Sequence, residues 1–382
     1  MPLSPVLADQ STYPFVRLEE AKRRKAAEGV RIFDFGMGDP RGTPDPTIRR
    51  ALVEALDAEV GYPAAVGLSE LREAIAGWCA RRFGARVDPA SEVIPTLGSK
   101  EAIFTFAQVA VDRDRGKDLV LCPDPAYPVY ERGALFAGAW VAHLPLDEEN
   151  GFLPDLDAVD EDMWAEAALV WINYPNNPTT AVAPLSLYER LAELAAEHDF
   201  YLCSDEAYSE LWFEEPPPSA LEVAERRNVV VFNTLSKRSS MTGWRSGFVA
   251  GDERVIAALR KFRPTIGTAP QEFVQRASVV AWNDEQHVVR TREGYRRKRE
   301  LLLGALARKG LRVAGGPATM YLWVAVPDAE TSEEFASRLL AHGIVVAPGS
   351  YLGAHGEGYV RLALVPGEDA CREAAALLED VL

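Results

Sequence analysis

Five short polar clusters stand out in this sequence, each directly behind an apolar run. Behind "VIPTL" comes "GSKEAIFTFAQVAV", where Gly98 and Ser99 open a helical pattern, and behind "LVLC" comes "PDPAYPVYE" with Tyr127 in a proline-stiffened turn. Asn177 stands in "YPNNPTT" behind "ALVWIN", and Asp205 and Tyr208 stand in "SDEAYSEL" behind "FYLC". Behind "VVVFNTL" come Ser236 and Lys237, with Arg245 eight positions beyond the lysine. That last loop returns at once to the strand-like "SGFVAGD", and a loop pinned at both ends suits a site better than a linker. Taken singly, the clusters also read blandly. Ser99 can be a helix cap, Tyr127 a loop filler and Asn177 a turn residue before proline; Asp205 can be an N-cap with Tyr208 on the same helical face.

Together the residue types are complementary: an anion nest at a helix N-terminus, an aromatic plate, an amide, an acid with a phenol, and a lysine with an arginine. Pyridoxal 5′-phosphate (PLP) has matching needs. Its aldehyde takes a lysine, its pyridine nitrogen an acid, its phenolic oxygen hydrogen-bond donors, its ring a stacking partner, and its phosphate a helix N-terminus with an arginine.

Such groups converge only if strands position them. The runs "VIPTL", "LVLC", "WVAHL", "ALVWIN", "FYLC", "VVVFNTL" and "SGFVA" read as strands, and segments such as "LSLYERLAELAAEHD" between them carry apolar residues at helical spacing. Strands apolar on both faces with helices between them predict a mostly parallel sheet in an α/β domain, whose ligands gather at the carboxyl ends of the strands. After Pro270 a polar-striped stretch predicts one or two helices. They lead to a smaller α+β domain built on "MYLWVAV", "SEEFASRLLAHG" and "YVRLALV".

With 382 residues the chain can bury a large core, and two domains are expected. The net charge of −16 argues against nucleic acid or an anionic membrane as partner, so an anionic ligand must meet a local cluster of cations. Cys79, Cys122, Cys203 and Cys371 are widely spaced and form no C-x-x-C pair, which points to buried thiols and to no metal site. The N-terminal stretch lacks the pattern of a signal peptide, and no long apolar run occurs; a cytoplasmic protein is expected.

From "FDFGMGDP" to "YVRLALV" the chain resembles the fold-type I PLP-dependent aminotransferases of class I/II. The resemblance implies a large PLP-binding domain over 46–275, with an N-terminal arm and part of the small domain over 1–45. A linking helix and the rest of the small domain would occupy 276–382. It implies that Lys237 bonds the cofactor's aldehyde, and that Gly98, Ser99, Lys100, Ser236 and Arg245 hold the phosphate. Tyr127 would stack on the ring, Asn177 and Tyr208 donate to the phenolic oxygen, and Asp205 pair with the pyridine nitrogen. Arg361, in "YVRLAL", would grip the substrate's α-carboxylate with Gly38 and Asn177 beside it, and Tyr62 would reach the phosphate of a neighbouring subunit in a homodimer. Read alone, Arg361 fits a surface strand, Gly38 a turn and Tyr62 a core edge. Thr180 departs from the pattern, since family members often have glycine after "NNPT".

By wording, "GMGDPRGTPDP", "LPLDEENGFLPDLDAV" and "LSKRSSMTGWRSGFVAGD" resemble N-succinyldiaminopimelate aminotransferases most. The expected reaction is therefore ping-pong transfer from N-succinyl-LL-diaminopimelate to 2-oxoglutarate. LL-diaminopimelate or alanine is the alternative donor, and a PLP-dependent lyase of the same fold the more distant rival. Lys100, Arg41 and Arg238 are candidate cations for a succinylated substrate. A nicotinamide enzyme is disfavoured because "GMGDPRG" lacks G-x-G-x-x-G spacing and precedes the strand-rich region.

Overall fold

A computed structural model describes residues 4–8, 14–56, 61–267 and 269–382. All seven expected strands form and join one sheet. In space their order is Val93–Thr96, Gly247–Gly251, Val229–Thr234, Tyr201–Asp205, Ala167–Asn173, Leu119–Asp124 and Trp140–Pro145. Every pairing is parallel except the two made by Gly247–Gly251. The mostly parallel mixed sheet flanked by helices expected from the sequence is therefore present.

The apolar runs are explained by burial on both faces. Along Ala167–Asn173 every residue is buried: Leu169 and Trp171 enter one hydrophobic core, Val170 and Ile172 the other. Period-two alternation feeds two apolar layers, so no polar face is left in the sequence. Trp140–Pro145 lies at the sheet edge and is the exception, with Trp140, His143 and Pro145 exposed.

The stretch after Pro270 forms two helices, Glu272–Asn283 and Gln286–Arg308, with the Asp284 carboxylate accepting from the Gln286 amide at 2.8 Å where the second begins. Its 23 residues span about 35 Å and carry Tyr295, Leu302 and Leu306 into a separate core. Over that core lies a second sheet, antiparallel, ordered Ala347–Pro348, Tyr359–Ala363, Tyr321–Ala325 and Val313–Ala314. Phe33–Asp34, from the N-terminal part, pairs in parallel with Ile344–Val345, which brings the "FDFGMGD" stretch to this unit. All four cysteines are buried and unbridged. Among the described residues no helix is long and apolar enough to cross a membrane, and no cluster of side chains suits a metal ion.

Candidate active site

Six of the sheet's strands run the same way, so their carboxyl ends share one edge. Beneath the second sheet that edge becomes a cavity of about 500 Å³. Eleven of the thirteen candidate residues line it: Gly38, Ser99, Lys100, Tyr127, Asn177, Asp205, Tyr208, Ser236, Lys237, Arg245 and Arg361. Gly98 stands just behind the wall as the N-cap of the helix Ser99–Ala110, and Tyr62 lies outside it, fully exposed on this single chain.

Lys237 sits in the single helical turn Leu235–Arg238, begun where the Thr234 hydroxyl accepts from the Ser236 amide at 3.1 Å. Its Nζ donates to the Gly38 carbonyl at 2.7 Å. Burial pulls its pKa down to about 8; Asp39 opposes this, while Arg361 and Arg245 add to it. The amine is thus held near neutrality, as a group that must trade protons requires.

Asp205 ends its strand with Oδ2 accepting from the Tyr130 hydroxyl at 2.7 Å and Oδ1 from the Ala207 amide at 3.2 Å. Burial raises its pKa to about 6 in spite of those two bonds and the Lys237 charge. A buried acid so displaced is short of a cationic partner, which a protonated pyridine nitrogen would supply. The bland reading of Asp205 as a helix N-cap with Tyr208 on the same helical face does not hold. Residues 207–210 make a turn, and Asp205 acts through an Asx-type bond within it rather than as an N-cap. Tyr208 still reaches the cavity, its hydroxyl 2.9 Å from that of Tyr321.

An anion cradle lies at the other end. Gly98 has φ +73°, and a Cβ there would strike the Arg245 guanidinium, so glycine is what lets the arginine close on the helix N-terminus. Arg245 is fixed by bonds to the Thr242 and Leu97 carbonyls at 2.8 and 3.1 Å. Free helical amides, the Ser236 hydroxyl and this guanidinium match a phosphate dianion. Lys100 stands at the rim, its ammonium 6.0 Å from the Tyr127 ring centre. Burial, then Arg245 and Arg132, lower its pKa.

Arg361 is buried, donating to Asn177 Oδ1 at 2.8 Å and to the Gly36 carbonyl at 3.0 Å, while its Nε has no partner. An unsatisfied, buried guanidinium nitrogen in a cavity wall suits a carboxylate gripped by two prongs. The donor set therefore fits PLP and an α-amino acid together.

Several contributors were not anticipated. Tyr130 is stacked on Trp171, ring centres 5.0 Å apart, and orients Asp205. Asn173 bridges two loops, donating to the Asp205 carbonyl at 2.7 Å and accepting from the Asn177 amide at 2.8 Å. A polar residue closing the apolar run "ALVWIN" was its only signal. Tyr321 and Asp39 come from chain regions distant from the five clusters. Arg238 is a correction. Its guanidinium is buried between Trp78 and Trp282, 5.2 and 4.6 Å from the ring centres, and it contacts Glu285 at 3.3 Å, not the cavity. Successive residues of a helical turn point about 100° apart, so the neighbour of an inward-facing lysine faces elsewhere.

Residues 30–378 match the family described as Aminotransferase class I and II. The chain belongs to this family. Like other class I and II aminotransferases it is a PLP-dependent transaminase. It is 42% identical over 375 residues, 97% of this chain and 96% of the relative, to an LL-diaminopimelate aminotransferase of Aquifex aeolicus. Among solved structures it superposes on a mutant aspartate aminotransferase of Thermus thermophilus with a TM-score of 0.92 at 32% identity, covering all of both chains. It also superposes on a probable N-succinyldiaminopimelate aminotransferase of the same species, with a TM-score of 0.88 at 33% identity, covering 96% of this chain and all of the other.

Proposed function

We propose that this aminotransferase exchanges an amino group between free LL-diaminopimelate and a 2-oxo acid, 2-oxoglutarate in the first instance, by ping-pong turnover at Lys237. The observation that carries the donor is the 42% identity to an LL-diaminopimelate enzyme along nearly the whole chain. This replaces the succinylated donor expected from the wording of the sequence. The charges at the mouth agree with the change. Of the cations considered for a succinyl group, Arg238 is buried elsewhere and exposed Arg41 lies 3.7 Å from Asp39. The cavity wall carries Asp39, Lys100, Asp205, Lys237, Arg245 and Arg361. Once the last four and Lys100 are given to the cofactor and the α-carboxylate, Asp39 is left, and its charge complements the ammonium at the far end of diaminopimelate.

When bound, PLP supplies an aldehyde for the amine and a ring that accepts electrons from the substrate's Cα. Gly98, Ser99, Lys100, Ser236 and Arg245 would hold its phosphate, Tyr127 its ring face, and Asn177 and Tyr208 its phenolic oxygen. Asp205 would keep a proton on the ring nitrogen. Arg361, with Gly38 and Asn177, would orient the substrate through its α-carboxylate. The Lys237 amine, lowered to about 8, would take the proton from Cα and hand it on.

In a panel of donors with 2-oxoglutarate, LL-diaminopimelate should show the highest kcat/KM, with N-succinyl-LL-diaminopimelate and alanine at least tenfold poorer, roughly one misplaced charged contact. Either of those winning would overturn the donor assignment. Ammonia released from the donor without any 2-oxo acid would favour a lyase.

We further propose a homodimer in which Tyr62 completes the neighbour's phosphate site. Tyr62 is fully exposed on this single chain, and Val53 and Leu56, a few positions earlier in the sequence, are exposed as well; large apolar side chains left in water are better suited to a partner. Lys237→Ala and Tyr62→Asp chains refolded together should regain activity, because a hybrid would carry both lesions in one site and none in the other. Hybrids seen by native mass spectrometry that merely average the parents would rule this out.

A further inference from the structure

Thr180 is a β-branched residue held at φ +65°, a left-handed conformation that such side chains avoid. It is 2% exposed. Backbone strain of this kind persists only where the surroundings over-determine it. Here its hydroxyl is engaged twice by one residue, donating to the Gly316 carbonyl and accepting from the Gly316 amide, each at 2.9 Å. A Cβ on Gly315 would run into the Thr179 carbonyl and one on Gly316 into the Thr180 carbonyl, so the two segments meet at backbone contact.

The segment clasped in this way leads straight into the strand Tyr321–Ala325. A few residues on, the Phe213 amide donates to the Pro317 carbonyl at 2.9 Å and the Thr319 amide to the Leu211 carbonyl at 2.6 Å. Residues 315–319 are thus stitched to the loop behind Asn177 on one side and to the loop behind Tyr208 on the other. Across the cavity the same elements meet through side chains: Tyr321 with Tyr208, and Arg361, opposite Trp323 in the adjoining strand, with Asn177. The loop itself is closed without the Thr180 hydroxyl, by Asn176 Oδ1 accepting from the Thr179 amide at 3.0 Å and by the Thr180 amide donating to the Asn176 carbonyl at 2.9 Å. What the hydroxyl adds is the tie.

We infer that Thr180 is a positioning residue: its clasp on Gly316 sets the strand pair carrying Tyr321 and Arg361 against the loops carrying Asn177 and Tyr208. The strained conformation is held because the hydroxyl bonds are made there. The inference rests on Arg361 as the grip for the α-carboxylate, a group that every donor and acceptor brings. Loss of the clasp should therefore weaken all substrates by one common factor, which a residue reading the substrate side chain would not do.

Thr180→Ser keeps the hydroxyl, Thr180→Ala loses it and keeps a strained Cβ, and Thr180→Gly loses it while relieving the strain. With PLP-loaded protein, KM for amino donor and for 2-oxo acid should rise about tenfold in the Ala and Gly variants, the scale of two lost hydrogen bonds, with kcat changed much less. The Ser variant should stay near wild type. Dissociation constants for a non-reacting dicarboxylate, read from the cofactor's absorbance, should follow the same order. Because glycine relieves the strain, the Gly variant should melt no lower than the Ala variant. Wild-type KM in the Gly variant, or a Ser variant as impaired as Ala at equal melting temperature, would overturn the inference. Arg361→Lys serves as the control. If it leaves KM unchanged, the carboxylate grip itself is wrong; if it raises KM while Thr180→Gly does not, only the clasp is.

Discussion

Replacing Lys237 with alanine should lower kcat by on the order of a thousandfold or more while leaving the fold and the affinity for PLP phosphate largely intact. The amine has two tasks in the proposed reaction, and no other group in the cavity can take over either. Lys100, the nearest alternative ammonium, stands at the rim beside the Tyr127 ring, whereas Lys237 Nζ points inward to the Gly38 carbonyl. The phosphate cradle of Gly98, Ser99, Ser236 and Arg245 does not depend on the lysine side chain, since its arginine is fixed by backbone carbonyls. Single-turnover absorbance changes on adding donor separate the lost chemistry from lost binding. Retention of wild-type kcat would remove Lys237 from the mechanism.

Asp205→Ala should still bind PLP but lose on the order of a hundredfold in kcat, the scale seen when one preorganised electrostatic partner is removed. In the cofactor-free protein the same carboxylate has the opposite value. Its pKa is raised from 3.8 to about 6, so the folded chain holds the proton more tightly than the unfolded chain does. The stability this contributes is fully present below 3.8 and is lost as pH rises through 6. Cofactor-free Asp205→Asn should therefore melt higher than cofactor-free wild type at pH 7, with a margin that shrinks as pH falls toward 5. A margin that does not change with pH would mean the asparagine acts through packing alone.

The strands were legible because burial on both faces leaves a plain mark, an apolar run such as "ALVWIN" with polar residues crowded at its end. The same mark exposed Asp205, Asn177 and Lys237, since a parallel sheet brings consecutive strand ends to one edge. Tyr130 and Tyr321 were not legible, because their hydroxyls matter only through partners 75 and 113 positions away in the chain. Arg238 was misjudged since sequence adjacency to Lys237 says nothing of direction within a helical turn; its place between two tryptophans is a tertiary fact. The alternative reading of Asp205 as a helix N-cap fails for a related reason. Phe213 and Leu211 bond the segment before Tyr321 instead of continuing a helix, and tertiary hydrogen bonds outweighed the local pattern. Thr180 was legible as a departure but not as a clasp, because its partner Gly316 lies 136 positions on.

Borohydride reduction of the PLP-loaded protein, followed by peptide mass spectrometry, tests the central assignment most directly. The protein should be yellow, lose that absorbance on reduction, and carry the phosphopyridoxyl group on Lys237 alone. An adduct on Lys100, or none on Lys237 in fully loaded protein, would contradict the account.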